Sequence, residues 1–404
     1  MTTSIKRVAL FGEAVTLAHV ARPLALGRAL DPARYEITFV TDERYRQFAA
    51  ASGWAMRRVH TIPAKRFLDA LATGRPLYDV HTLRGYVDDD LSVLKEIRPD
   101  VVVGDFRLSL SISARVAGIP YVAISSAYWS PYARQSFPLP EHPLVELMGL
   151  RTAQVVFDLA RPFAFAYHAL PLNRVRREFK LPWLGLDLQR VYTDADYVAY
   201  ADLPEMVPTR ELPANHTFLG PVLWSPPVEP PHWWRDLPTD RPIVYVTMGS
   251  SGAKRALERV VEAVAGLDCI AIVATAGESL RDPLPANVRA ADYLRGDDAT
   301  GRSDLVICNG GSPTSYQALA AGIPVLGVAG NMDQHLNMQG VERAGAGIRL
   351  RNDRASVEDL RLAAGRLLDD PSYRRAAMSL SATMQRYDSA AAFARIVDRA
   401  AKAG

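Results

Sequence analysis

The sequence predicts an α/β protein made of two doubly wound domains, and three observations carry that prediction. Short β-rich runs alternate with helix-compatible stretches through the first half, the same alternation returns in the second half, and a proline-rich segment lies between them. The length of 404 residues allows two or three domains at about 100–200 residues each, every one large enough for its own core.

The first-half runs are Arg7–Phe11, Glu36–Val40, Val101–Val103 and Tyr121–Ile124. This is the βα alternation of a parallel sheet covered by helices on both faces. Residues 130–180 break it: they are apolar and aromatic, with Phe157, Phe163, Phe165 and Tyr167 among scattered arginines, and are expected to form a helical insertion over the first sheet. Residues 221–241 hold Pro221, Pro226, Pro227, Pro230, Pro231 and Pro238, which lack backbone donors and fix φ, so neither helix nor central strand persists there. We read this segment as the linker between an N-terminal domain, 1–220, and a C-terminal domain, 242–385. Its Trp224, Trp233 and Trp234 either anchor it to a domain surface or line a ligand cleft. The second-half runs are Pro242–Val246, Ile270–Val273, Asp304–Ile307 and Pro324–Val328. From Val357 to Ala403 the spacing of Leu360, Leu367, Phe393, Ile396 and Val397 predicts two or three helices.

Composition narrows the function. Lys+Arg 47 against Asp+Glu 44 leaves a net charge of +3, with no basic surplus for a nucleic-acid partner. Cys269 and Cys308 lie in apolar runs and read as small hydrophobes, so no disulfide framework or four-ligand metal site is expected. His60, His81, His142, His168, His216, His232 and His335 show no metal-like spacing. No stretch of about 18 apolar residues and no signal-peptide core is present, so a cytoplasmic protein without a transmembrane segment, monomer or homodimer, is expected.

Residues 303–326 parse as strand, turn and helix start. A strand ends at Cys308, Asn309, Gly310 and Gly311 make a tight turn, Ser312 is the expected N-cap with Pro313 at N1, and Gly322 terminates the helix. Such a helix start offers unpaired N–H groups and a positive dipole end, and flanking glycines admit an anion as close as a diphosphate. A short βα turn also carries glycines for geometry alone, and spacing does not decide between the two. After the next strand, Asp333 and Gln334 place a carboxylate beside an amide, able to accept from and donate to vicinal sugar hydroxyls. A helix cap in a solvated loop is the other reading.

The run Asn309–Leu326, continued by Asp333–Asn337, resembles the donor signature of the nucleotide-sugar-dependent family 1 glycosyltransferases of bacterial natural-product type, H-G-G-x-G-T-x-x-E-A-L-x-x-G-v-P closing in D-Q-x-x-N. The resemblance implies the GT-B fold, two facing Rossmann-like domains with the active site in a cleft between them, and a last helix, 386–404, crossing back to the first domain. It implies a nucleotide-sugar co-substrate, UDP-sugar first and dTDP-sugar as the alternative, a small-molecule acceptor, and no further cofactor. Residue by residue it implies that Asn309, Gly311, Ser312 and Thr314 approach the diphosphate, that Gln317 takes the ribose, and that Asp333 and Gln334 hold the sugar. Gly249, Ser250 and Ser251 are similar to the family's glycine-serine turn facing the phosphates, and Tyr293 and Leu294 stand where the base is contacted. Three positions depart from the pattern. Asn309 replaces His and cannot become cationic, Pro313 replaces Gly and lacks an N–H, and Gln317 replaces Glu, which makes its ribose bond neutral. A weaker or unusual donor interaction follows.

Inverting transfer needs a general base beside the acceptor, and histidine suits that role near neutral pH. His19 lies just beyond the carboxyl end of the first strand and Asp105 at the end of another, where open parallel sheets place their ligands. The resemblance implies that they are the catalytic pair, Asp105 orienting His19. The loop departs from the family in having Ala18 before His19 and one extra residue before Pro23. Read without it, Asp105 caps a helix near Ser109 and His19 packs against its loop. His335, beside Asp333, is a further candidate for donor contact. Tyr128, Trp129, Tyr132 and Phe137 suit an apolar acceptor such as a polyketide, terpenoid or lipid, and suit a core equally. The expected activity is an inverting, metal-independent transfer of a sugar, glucose first, to a hydroxyl or similar nucleophile. A catalytically silent GT-B partner of an active transferase and a GT-B sugar-nucleotide epimerase are the alternatives.

Overall fold

The apolar runs become parallel strands buried on both faces, because helices cover each side of the sheet they form. The structure, a computed structural model, describes residues 5–249 and 254–403. The first sheet contains β1 (Lys6–Gly12), β2 (Tyr35–Thr41), β3 (Ala55–Arg58), β4 (Val101–Asp105), β5 (Tyr121–Ser125), β6 (Tyr197–Tyr200) and β7 (His216–Phe218), in the order β3-β2-β1-β4-β5-β6-β7. The second contains β8 (Ile243–Thr247), β9 (Ile270–Ala274), β10 (Val288–Ala291), β11 (Leu305–Cys308), β12 (Val325–Ala329) and β13 (Gly347–Arg351), in the order β10-β9-β8-β11-β12-β13. Every pairing within the two sheets is parallel.

The chain divides into two units, each with its own core. One comprises the chain up to Gln135, Met148–Val222 and the chain from Asp388 on; the other comprises Ser136–Leu147 and Leu223–Tyr387. In the first unit one apolar cluster gathers around Phe11, Val102, Leu110 and Tyr121 and another around Tyr86, Val87, Leu172 and Val175. In the second, Val246, Val260, Ile307, Leu326 and Leu360 share one core.

Two boundaries differ from the sequence reading. The insertion expected over 130–180 is split, because Ser136–Leu147 belongs with the second unit. Polar contacts hold it there: Glu141 N–H donates to the Gly330 carbonyl at 2.9 Å, Arg351 to the Leu139 carbonyl at 2.5 Å, and Asn352 Nδ2 to Glu141 Oε1 at 2.6 Å. The rest is dominated by one helix, Leu150–Glu178, which packs Leu172 and Val175 inward near its end while exposing Val155, Leu159, Phe163 and Tyr167 further back. The division between units falls at Val222 and Leu223, so most of the proline-rich segment rides on the second unit. There Trp234 is buried under the Arg302 guanidinium, 4.9 Å from its ring centre, and Trp233 Nε1 donates to the Ala290 carbonyl at 3.3 Å. The tail forms three helices, Val357–Asp369, Pro371–Met384 and Ser389–Ala403. The last belongs to the first unit, where Asp398 accepts from Arg34 at 2.7 Å and from Tyr35. Among the described residues no helix is long and apolar enough to cross a membrane.

Candidate active site

In the first sheet β1 lies beside β4, and the chain continues to β2 on one side and β5 on the other. This is the switch point at which open parallel sheets bind ligands. The register pairs Gly12 with Asp105, so both strands end at one level. His19 sits in the first turn of the helix Ala18–Gly27, and Pro23 lies inside that helix instead of ending a loop. Gly12 permits the close packing, since a Cβ there would stand 3.1 Å from the His19 carbonyl oxygen. His19 Nδ1 lies 2.8 Å from Asp105 Oδ1, across 86 residues of sequence, with Asp105 fully buried and the His19 side chain 19% exposed. An ionised carboxylate only accepts, so Nδ1–H donates and Nε2 carries the free lone pair. Asp105 caps no helix; the following one starts after Ser109.

Arg22 completes this cluster. Its Nε donates to Asp105 Oδ2 at 2.7 Å, one terminal amino group to Oδ1 at 2.8 Å, and the other to Ser126 Oγ at 3.2 Å. Phe106, in a left-handed conformation at φ 59°, stacks its ring on His19 at 4.6 Å and 9°. Phe67 and Tyr192 meet Phe106 edge-on at 6.1 and 5.5 Å, and Trp129 adjoins Tyr192 at 5.1 Å. Tyr128 and Phe137 are buried, which places them in the core reading. Behind Phe106, Arg107 binds Glu13 at 3.0 Å and Asp90 at 2.9 Å, lies over the Tyr86 ring, and is buried with both acids. Burial raises the pKa of Glu13 and of Asp90, against the pull of Arg107. The network ties the ends of β1 and β4 to the helix Val80–Ile97. Arg22, Phe106 and Arg107 escaped the sequence reading; Arg22 had a signal, lying one helical turn after His19 on the same face.

In the second sheet β8 and β11 meet at the corresponding switch point. Gly249 follows β8 at φ 61°, while Ser250 and Ser251 lie outside the described residues. After β11, Asn309 Oδ1 accepts from Gly311 N–H at 3.1 Å, and its Nδ2 faces Gly249, 3.5 Å from where a Cβ would be. The N-cap is Gly311 and not Ser312: Gly311 is extended and Ser312 already helical, so the helix Ser312–Ala320 starts one residue early with Pro313 near its start and no side-chain cap. Thr314, in its first turn, is half-buried. Asn337 braces the turn from the helix Met332–Arg343, its Nδ2 donating to the Gly310 carbonyl and to Ser315 Oγ, both at 2.8 Å.

Other expected donor residues have local duties. Gln317 Nε2 donates to the Trp224 carbonyl at 2.6 Å and to Ser225 Oγ at 3.0 Å. Its amide also occupies the space a Cβ of Gly296 would fill, beside the loop carrying half-buried Tyr293 and buried Leu294. Asn331, and not Asp333, caps the helix Met332–Arg343; Gln334 Oε1 accepts from Asn331 N–H at 3.3 Å, which closes the capping box, and from Gly330 N–H at 2.9 Å. Asp333 stands half-buried in that first turn. His335 does not reach a donor surface, because it is buried, and burial with Arg349 and Arg351 nearby pushes its pKa down to about 3.

Residues 258–397 match the family described as "Erythromycin biosynthesis protein CIII-like, C-terminal domain". A "PGL/p-HBAD biosynthesis glycosyltransferase" of Mycobacterium tuberculosis is 52% identical over 376 residues, 93% of this chain and 88% of the relative. A "PGL/p-HBAD biosynthesis rhamnosyltransferase" of Mycobacterium bovis is 53% identical over 93% of this chain and 84% of its own length. The chain belongs to this glycosyltransferase family. A third relative, also from M. bovis, 50% identical over 74% of this chain and 80% of its own length, is named inactive. Among solved structures, the spinosyn rhamnosyltransferase SpnG complexed with thymidine diphosphate shares the GT-B fold, at TM-score 0.71 and 19% identity over 98% of this chain and all of its own.

Proposed function

We propose that this glycosyltransferase inverts the anomeric carbon of a nucleoside-diphosphate sugar in passing it to a hydroxyl of an apolar acceptor, with His19 as general base. The pairing of His19 with buried Asp105 at a sheet switch point carries this reading. With Nδ1 donating to Asp105, Nε2 takes the acceptor proton as the acceptor oxygen attacks the anomeric carbon, and the nucleoside diphosphate leaves with the bonding pair. Asp105 orients the ring and stabilises the imidazolium. Helix-start N–H groups of Ser312 and Thr314 receive the charge growing on the diphosphate, the task a metal performs in other transferases. Gln317, with its amide hydrogens committed to Trp224 and Ser225, keeps a carbonyl oxygen to accept from ribose hydroxyls. Phe106, Phe67, Tyr192 and Trp129 give the acceptor side an aromatic wall beside the base.

The donor set opens with UDP-glucose and dTDP-rhamnose, the second because a relative is named a rhamnosyltransferase and SpnG is described with thymidine diphosphate. A relative named inactive makes turnover the first measurement. UDP, dTDP and GDP are compared by thermal shift, then both donors are offered with alkanols and alkylphenols and products read by mass spectrometry. His19→Ala is expected to lower turnover by about 10²–10⁴ while leaving the nucleotide shift in place. An active His19→Ala variant removes the base from His19, and absence of any nucleotide shift favours a silent protein.

A further inference from the structure

We propose that Arg22 is a positioning residue for the base: it locks the Asp105 carboxylate and shares its charge, so that His19 both takes the acceptor proton and releases it. The inference rests on His19 being that base. His19 and Arg22 project from one face of the helix Ala18–Gly27 onto the same carboxylate. Arg22 reaches both oxygens, at 2.7 and 2.8 Å, and Ser126 Oγ holds its other arm at 3.2 Å. A fork on both oxygens prevents the carboxylate from rotating, so Oδ1 keeps its aim at Nδ1. A lysine, a point charge, would not fix that plane.

The second consequence is electrostatic. An amino group of Arg22 lies 3.2 Å from His19 Nδ1. Both atoms point hydrogens at Asp105, so this is a contact of two donors and becomes a repulsion between cations once the ring is protonated. A His–Asp pair alone favours the imidazolium; a permanent cation on the same carboxylate takes back part of that preference. The charged and polar groups that face this cluster come from several elements. Its own helix supplies Arg22, the end of β4 supplies Asp105 and the uncharged Phe106, and the segment after β5 supplies Ser126 and Tyr128. Asp202, after β6, also favours the charge of Arg22, while Glu13 after β1 and Asp90 of the helix Val80–Ile97 are matched to Arg107. Burial works against the charge of Arg22, and Asp105 together with Tyr128 and Asp202 outweighs it, so the guanidinium stays protonated.

The test is a direct titration of full-length protein carrying isotope-labelled histidine, followed by NMR, with His19 identified from its loss in His19→Gln. Arg22→Gln is expected to raise the His19 midpoint by about one pH unit, and Arg22→Lys to hold it near the wild-type position. The acid limb of the turnover profile should move up with it, because the base must be neutral to act. In Arg22→Lys, kcat should fall with donor KM little changed, since charge is kept and the fork lost. Unchanged titration of the other imidazoles reports a folded variant, and Arg22→Met repeats the measurement if Arg22→Gln does not fold. A midpoint that stays or drops in a folded, uncharged variant overturns the proposal. An active His19→Ala would instead overturn the base assignment, so the two failures are separable.

Discussion

Phe106 holds a backbone conformation that costs an L-residue roughly 1–2 kcal/mol, and its ring repays the cost by stacking on His19 and meeting Phe67 and Tyr192. Glycine adopts φ near 59° freely and alanine does not. Phe106→Ala is therefore expected to be less stable than Phe106→Gly by about 1 kcal/mol in chemical denaturation, the reverse of the usual order of the two residues. Equal stabilities would place the compensation elsewhere. Both variants should lose turnover, having released one face of His19. His335 yields an acid-stability prediction. Buried and with both ring nitrogens lacking a hydrogen-bond partner among the described residues, it stays neutral in the folded protein down to about pH 3, whereas in the unfolded chain it protonates near pH 6.5. Its folded pKa is depressed, so stability is complete above about pH 6.5 and declines as pH falls toward 3, by about 2 kcal/mol at pH 5. His335→Leu, which has no proton to take up, should flatten the melting temperature between pH 7 and 5; an unchanged slope would mean that His335 finds a charged state in the fold.

Between elements, the anion-ready helix start at Ser312 depends on another helix to hold its turn. Asn337 uses both amide hydrogens on Gly310 and Ser315, and Gly310, at φ 80°, leaves Met338 the space a Cβ would fill. Asn337→Asp removes the donors and sets a carboxylate against a carbonyl, for an expected loss of about 2–3 kcal/mol in stability and at least tenfold in UDP or dTDP affinity by calorimetry. Native affinity in a folded variant would show that the turn holds itself. This region was legible in the sequence because its parts are contiguous: strand, glycines, helix and closing Asn fall within one readable stretch. The N-cap slipped by a residue because Ser312 is the better cap by side chain, while backbone geometry gave the place to Gly311. Strands β1, β4, β8 and β11 were legible as runs buried on both faces. Strands β3, β7, β10 and β13 are half-exposed, so apolar density does not mark them. His19 and Asp105 were paired by their places beyond two strand ends, with the family resemblance strengthening the pairing, and Arg22 stayed unseen because its partner lies 83 residues away.

At the scale of the molecule, the chain begins in one unit, builds the other, and returns to the first with its last helix. Ser389–Ala403 buries Phe393, Ile396, Val397 and Ala400 and packs on β4, β5, β6 and the helix Ala18–Gly27. At about 2 kcal/mol for each of the three larger side chains, this burial is comparable with the whole stability of a domain. The first unit therefore depends on a helix that follows the second unit in the sequence, whereas the second has its core complete by Tyr387. Removing residues 388–404 is expected to speed hydrogen exchange in β5, β6 and the helix that carries His19, and to abolish turnover by loosening the base. Exchange in β8 and β11 should keep its native rate, and whichever of UDP and dTDP stabilises the intact protein should still protect the second unit. Exchange that rises equally in both sheets would show that their stabilities are coupled, and retained turnover would show that the His19–Asp105–Arg22 cluster holds without its covering helix.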